Sequence, residues 1–286
     1  MGEGVEMKIG IIGNGFVGSA IVHGFVLHTK DILIYDKNKN KSLNTLEEVV
    51  SETDIIFVSL PTPMHENGDA DLSIVYGCFG EIRKTQIDCS KKIFVLKSTV
   101  VPGTSRSLQH SFPEFNFVFN PEFLTERRAR LDFINSARIV LGGKKVHTDK
   151  VEQLYKVRFP YVKIIKTDFE TAELIKYMAN CFFACKISFM NEMKQINDKL
   201  GTNWKDAING FISDGRIGNS HIDVPGHDGE LGFGGKCFPK DINAIIKKAE
   251  TLGVDPKVLK ATWEKNLEVR KNLDWYDIEG AVTKKE

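Results

Sequence analysis

The stretch Met7-Lys8-Ile9-Gly10-Ile11-Ile12-Gly13-Asn14-Gly15-Phe16-Val17-Gly18 decides the fold. Its apolar run Met7–Ile12 reads as a short buried strand, and Val17–Leu27 reads as a helix opening directly behind the glycines. A Gly-x-Gly-x-x-Gly turn alone is a weak signal. Here a second apolar run, Ile32–Tyr35, ends on Asp36, 18 residues beyond Gly18, and that is the context a dinucleotide-binding turn requires. Such glycines let a pyrophosphate reach the helix N-terminus, where open amides and the helix dipole favour an anion. Gly13, Asn14, Gly15, Phe16, Val17 and Gly18 are therefore candidate cofactor contacts, and Asp36 is placed to hold a ribose 2′-hydroxyl. A carboxylate there repels a 2′-phosphate, so NAD is favoured over NADP, although Lys37, Lys39 and Lys41 follow closely.

Further buried runs lie at Asp54–Leu60, Lys92–Leu96, Asn116–Phe119, Arg138–Leu141 and Val162–Ile165, with helical patterns over Leu72–Lys84 and Thr148–Val157. Strand and helix in alternation predict an α/β, Rossmann-like doubly wound parallel sheet over residues 1–166. Ligands in such folds bind at the carboxyl ends of the strands. Three segments fall there: Leu60-Pro61-Thr62-Pro63, Lys97-Ser98-Thr99-Val100-Val101-Pro102-Gly103 and Asn120-Pro121-Glu122-Phe123-Leu124. Thr167 and Glu170 form a capping-box pattern, and no proline or glycine interrupts the chain from there to Gly201. A helix of about 33 residues spans about 50 Å, which suits a spine between domains or a subunit interface. Residues 167–286 are then a long connecting helix and a second, all-α domain, with helices over Trp204–Ser213, Asp241–Leu252 and Pro256–Asn272.

A second stretch carries reactivity: Gly232-Phe233-Gly234-Gly235-Lys236-Cys237-Phe238-Pro239-Lys240-Asp241. Glycines admit close backbone approach to a ligand, and Pro239 suits the first turn of a helix. Cys237 thus sits at a helix N-terminus between Lys236 and Lys240, where amide dipoles and positive charge favour a thiolate. Taken alone, a packed structural cysteine in a glycine-rich loop is an equal reading. On the long helix Lys176 and Asn180 lie four apart, hence on one face; Lys176 alone reads as a solvated position. Cys181 and Cys185, among Phe182, Phe183 and Phe189, read as core packing.

With 42% hydrophobic and 27% charged residues and a net charge of +1 over 286 residues, the composition is that of a soluble two-domain protein. No basic excess points to nucleic acid or membrane, and no apolar stretch reaches the length of a span. Five scattered cysteines, and no apolar leader core in Met1–Glu6, point to a reducing, cytoplasmic setting. Glu6 breaks the acylation pattern begun by Gly2, and Asn40-Lys41-Ser42 is a sequon without export. His221, Asp223, His227 and Asp228 share a loop but lack the spacing of a metal site, so no metal is expected.

The turn at Gly13–Gly18, Lys97-Ser98-Thr99-Val100, Asn120-Pro121-Glu122-Phe123-Leu124, Lys176-x-x-x-Asn180, Arg216-Ile217-Gly218-Asn219 and the cysteine motif together resemble the UDP-glucose/GDP-mannose dehydrogenase family, in order from about Met7 to about Asn272. The resemblance implies a four-electron oxidation of a nucleotide-sugar primary alcohol, UDP-glucose to UDP-glucuronate in first place, with NAD as acceptor. It implies Cys237 as the nucleophile of a thiohemiacetal and thioester, Lys176 and Asn180 as oxyanion donors, Asp241 as a positioner of water or Lys176, and Glu122 with Thr99 and a water as acid and base. It extends the cofactor contacts to Lys41, Pro61, Thr62, Ser98, Thr99, Glu126 and Lys240. It extends the substrate contacts to Phe123, Leu124, Phe233, Gly234 and Arg216, the last acting across a homodimer built on the long helix.

The chain departs from the family pattern in three places. A third, nucleotide-gripping domain is usual in the family, and the sequence ends at Glu286 before one begins. The loop from Arg216 to Cys237 is longer than in compact members. Thr125-Glu126-Arg127-Arg128 replaces the small residues common after Phe-Leu. Two other readings stay open: a two-electron β-hydroxyacid dehydrogenase, which has no use for a thiol, and an inactive dinucleotide-binding subunit.

Overall fold

The computed structural model describes residues 7–283, and the leader and acylation readings of Met1–Glu6 lie outside them. The chain divides into two compact units, Met1–Thr62 with Leu72–Lys176, and Pro63–Asp71 with Tyr177–Glu286.

The first unit is built on seven strands: β1 Lys8–Ile12, β2 Asp31–Tyr35, β3 Ile55–Val58, β4 Ile93–Leu96, β5 Asn116–Phe119, β6 Arg138–Gly143 and β7 Lys163–Thr167. They form one sheet in the order β2-β1-β3-β4-β5-β6-β7. The helices are α1 Phe16–Phe25, α2 Leu46–Glu52, α3 Ser73–Lys84, α4 Thr104–Ser111, α5 Ala129–Ile134 and α6 Lys145–Arg158. Side chains alternate across the central strands, as a pleat buried on both faces requires. Ile12, Val58, Phe94, Leu96, Phe117 and Phe119 pack with residues of α2, α3 and α4. Ile9, Ile11, Phe57, Val95 and Val118 pack with residues of α1, α5 and α6. The result is the Rossmann-type α/β/α layering that the strand–helix alternation predicts.

One feature of the sheet differs from that expectation. β5 and β6 pair antiparallel, Val118 opposite Gly143, while the other neighbours are parallel. A strand buried on both faces has the same apolar run in either direction, so the reversal leaves no trace in hydropathy. The short helices α2, α4 and α5 are also absent from the periodicity reading, because 6 to 8 residues give too few turns to show a period.

The long helix α7 runs Phe169–Leu200, 32 residues. Its start is not the Thr167–Glu170 box. Asp168 is the cap: its Oδ1 accepts from Thr171 N at 2.8 Å, while Glu170 is drawn off to the Arg106 guanidinium, Oε2 to Nη2 at 2.8 Å. The second unit adds α8 Trp204–Ile212, α9 Phe238–Thr251 and α10 Lys257–Val269. Ala184, Phe233, Ile242 and Ile246 form one of its small cores with Trp263 packed against them. Pro63–Asp71 joins this unit through Met64, whose N donates to Ala281 O at 2.8 Å and whose O accepts from Thr283 N at 2.8 Å.

Candidate active site

The turn after β1 is shaped by what its glycines exclude. A Cβ at Gly18 would stand 2.0 Å from Gly13 O, and one at Gly13, where φ is +91°, would stand 2.3 Å from Ser59 O. Gly15 caps α1 with no side-chain hydrogen bond, and around it a Cβ would meet nothing within 4 Å. The N-terminus of α1 is therefore unobstructed at Gly15, as the approach of a pyrophosphate requires. Asp36 ends β2 with both oxygens anchored, Oδ2 to Asn14 N at 2.7 Å and Oδ1 to Asn38 N at 2.8 Å. Asn14 in turn donates through Nδ2 to Lys41 O at 2.9 Å. An NAD adenylate ribose fits this carboxylate and a 2′-phosphate does not. Asp36→Ser is expected to narrow the preference for NAD over NADP at least tenfold, about 1.4 kcal/mol, measured by calorimetric titration with both dinucleotides.

The ends of β3 and β4 are stitched together. Ser98 Oγ donates to Leu60 O at 2.7 Å and accepts from Leu60 N at 2.9 Å, and Thr62 Oγ1 donates to Thr99 O at 2.9 Å. These bonds hold Pro61, Thr62, Ser98 and Thr99 at one strand edge. Beyond β5, Glu122 is buried, and its Oε1 accepts from Lys176 Nζ at 3.1 Å while Oε2 accepts from Leu124 N at 2.6 Å. Lys176 also lies 5.4 Å from the centre of the Phe123 ring. It is 3% exposed, so the solvated reading of this lysine does not hold. A buried carboxylate and ammonium in direct contact can pass a proton or pair with a developing alkoxide.

One turn deeper lies a lysine to which the sequence reading gave no role. Lys97 is buried, with Nζ donating to Asn120 Oδ1 at 2.8 Å. Tyr155 OH shares that acceptor at 2.5 Å, and Asn120 Nδ2 donates to Val140 O at 2.8 Å. Burial pushes the Lys97 ammonium down to about 7, with Glu122 working against the shift and Lys176 adding to it. Glu173, on the same helix as Lys176, accepts from Gly103 N at 2.6 Å and Ser105 N at 2.8 Å at the start of α4.

In the second unit Cys237 is the N-cap of α9, with Pro239 in the first turn, as the sequence predicts. Asp241 N donates to Cys237 O at 2.9 Å. The Asp241 carboxylate is 1% exposed and accepts from Asn180 Nδ2 at 2.6 Å and from Lys240 Nζ at 2.5 Å. The side-chain partner that Asp241 has on the long helix is Asn180, where the resemblance implied Lys176 or a water.

The loop before the thiol is held amide by amide. Gly232 N donates to Asn191 Oδ1 at 3.2 Å, Phe233 N to Asn266 Oδ1 at 2.7 Å, and Gly235 N to Asp274 Oδ2 at 3.1 Å. Asn266 returns a bond from Nδ2 to Phe233 O at 3.0 Å. Beneath Gly234 the Arg270 guanidinium pairs with Asp228 at 2.9 Å and Asp274 at 3.2 Å. Asn191, Asn266, Arg270 and Asp274 are absent from the sequence reading.

Other expected contacts lie on the surface. Glu126 is exposed in a 3₁₀ turn Glu126–Arg128, and Arg216 is 89% exposed, held by Asp214 at 2.5 Å. His221 stacks on Phe183 with ring centres 4.2 Å apart, and Asp228 serves Arg270, so those two residues of the histidine-aspartate loop have structural partners. Cys181 is buried, which raises its thiol, whereas the neighbouring Phe182 and Phe189 are 64% and 53% exposed.

Comparison with known proteins agrees with both halves. Residues 41–158 match the NAD binding domain of the UDP-glucose/GDP-mannose dehydrogenase family, and residues 170–268 match its central domain. The UDP-glucose 6-dehydrogenase of Rickettsia conorii is 33% identical over 302 residues, covering 93% of this chain and 68% of that protein. The Bacillus subtilis enzyme TuaD, also a UDP-glucose 6-dehydrogenase, is 34% identical over 239 residues, 80% of this chain and 50% of that one. The chain thus spans about two thirds or less of these relatives' length. A UDP-glucose dehydrogenase structure from Pyrobaculum islandicum superposes with a TM-score of 0.81 at 29% identity, covering 93% of this chain and 69% of that one. A 3-hydroxyisobutyrate dehydrogenase from Mycobacterium tuberculosis, TM-score 0.72 at 15% identity with 96% and 93% covered, shares the fold alone. With its NAD turn, its thiol loop and both matched domains, the chain is an NAD-dependent oxidoreductase that belongs to the UDP-glucose/GDP-mannose dehydrogenase family.

Proposed function

We propose that this protein oxidises the primary alcohol of a nucleotide sugar to the carboxylate in two steps, with UDP-glucose as substrate and UDP-glucuronate as product. The observation that carries the reading is the Asp241 carboxylate. Its backbone ties it to Cys237 and its side chain to Asn180, so a nucleophile and an oxyanion donor are set by one buried group. A two-electron hydroxyacid oxidation has no use for that arrangement.

Bound NAD, held by the α1 turn and Asp36, supplies the hydride acceptor. In the first oxidation Glu122, with Thr99 and a water, takes the alcohol proton, and Lys176 with Asn180 steadies the alkoxide. Cys237 Sγ then adds to the aldehyde carbon, and the new C–S bond keeps the half-oxidised sugar on the protein. After the spent cofactor is exchanged for a second NAD, the thiohemiacetal carbon would give up its hydride and its hydroxyl a proton, leaving a thioester. Water adds to the thioester carbon, the C–S bond breaks, and the acid leaves as the thiol is regained. Lys41, Pro61, Thr62, Ser98, Glu126 and Lys240 are assigned to the cofactor. Phe123, Leu124, Phe233, Gly234 and Arg216 are assigned to the substrate.

The second copy in this proposal sits on α7. Leu174, Met178, Phe182, Phe189, Met193 and Ile196 are exposed and recur at three, four or seven residues, an apolar helix stripe of the kind that covers itself in a homodimer. Arg216 would then serve the partner's substrate, and the reading places the protein in the cytoplasm. Among the described residues no helix is long and apolar enough to cross a membrane.

NADH counted against UDP-glucose consumed tests the proposal. A ratio near two supports it, whereas a ratio near one, or turnover with small hydroxyacids in place of nucleotide sugars, defeats it.

A further inference from the structure

We propose that Lys97 is a positioning residue of the oxidation site: its buried amine orders Asn120 and, by holding or releasing one proton, sets the charge that acts on the Glu122–Lys176 pair. The inference rests on the function proposed above. It starts from a shortfall of acceptors. An ammonium carries three N–H donors, yet among the described residues the buried Lys97 Nζ has one hydrogen-bond acceptor, Asn120 Oδ1, which Tyr155 OH also occupies. A neutral amine suits that site far better than a charged one.

The groups facing this amine are few. Glu122 beyond β5 and Lys176 on α7 act on it by charge. Tyr155 on α6 shares its acceptor and is kept protonated by burial. When Lys97 is protonated, two cations surround one carboxylate. The Glu122 charge is then shared between Lys97 and Lys176. When Lys97 is neutral, the Glu122–Lys176 pair at 3.1 Å is left one to one. Without the competing cation the carboxylate is free to take the alcohol proton and Lys176 to meet the alkoxide. Activity should therefore rise as Lys97 loses its proton near neutrality.

The sign for stability follows from linkage. Lys97 titrates at about 7 in the folded chain against 10.5 for an ordinary lysine. Between those values the unfolded chain binds the extra proton, so stability rises with pH there, and the full cost of burying the charge is felt below about 7.

Two measurements on the full chain and on Lys97→Met test this. In urea titrations from pH 6 to 10, the folding constant of the wild type should gain on that of Lys97→Met by up to about tenfold per pH unit above neutrality. In kcat/KM profiles with UDP-glucose, the wild type should show a limb near neutrality that Lys97→Met lacks. Lys97→Gln, which keeps a donor toward Asn120, should behave as Lys97→Met in both. Parallel stability curves, or a limb retained in the variants, overturn the proposal, because a purely structural lysine would lower the rate alike at every pH. Wild-type protein that oxidises no nucleotide sugar refutes the function, and the stability curves then decide the Lys97 titration by themselves.

Discussion

Cys237→Ser is expected to lose acid formation by about three orders of magnitude or more, with NADH per UDP-glucose consumed falling from two toward one and aldehyde appearing in a hydroxylamine trap. Serine keeps the size and the place of the side chain. Its hydroxyl ionises far less readily than a thiol, so neither capture of the aldehyde nor a thioester is available. The first oxidation draws on Glu122, Lys176 and Asn180 and should persist. Undiminished acid formation in this variant would remove the thiol from the reaction and return Cys237 to the role of a packed loop residue.

Arg270→Met should cost about 2–4 kcal/mol of stability, read from urea denaturation at neutral pH. The Arg270 side chain is 1% exposed and pairs with Asp228 and Asp274, whose side chains are 33% and 28% exposed. Removing the guanidinium leaves two carboxylates facing each other, and their partial hydration keeps the loss below that of a fully buried pair. The same group explains Gly234: a Cβ there would stand 2.2 Å from Arg270 Nη2 and 2.3 Å from Asp274 Oδ1. Freed of Arg270, Asp274 should hold Gly235 N less firmly, which faster amide exchange at Gly235 would report. A change under about 0.5 kcal/mol, the range of an ordinary surface substitution, would show that the cluster is dispensable.

What was legible in the sequence followed from local physics. Ile9, Ile11, Phe57 and Val95 lie in short apolar runs that only a strand buried on both faces demands, and Gly13, Gly18 and Asp36 mark the turn by exclusion and charge. Pro239 marked the start of α9 within a residue or two. What was not legible depends on distant partners. Lys176 looks the same in sequence whether it meets water or Glu122, 54 positions earlier. Asn266, Arg270 and Asp274 share a four-residue spacing, but α10 ends at Val269, so their common target at Gly232–Gly235 appears only in three dimensions. The β5–β6 reversal was hidden for a related reason, since hydropathy records burial and carries no direction.

The pairing of Met64 with Ala281 and Thr283, reinforced by Thr283 Oγ1 donating to Asp71 Oδ2 at 2.8 Å across 212 positions, bears on biosynthesis. On the ribosome, the Pro63–Asp71 segment must wait while the chain grows to its partner, 212 positions further on, before that partner is translated. A gene fragment starting at Tyr177 would encode a body lacking one of its own pieces, so cutting at the apparent boundary should yield an aggregating product unless that short peptide is supplied in trans.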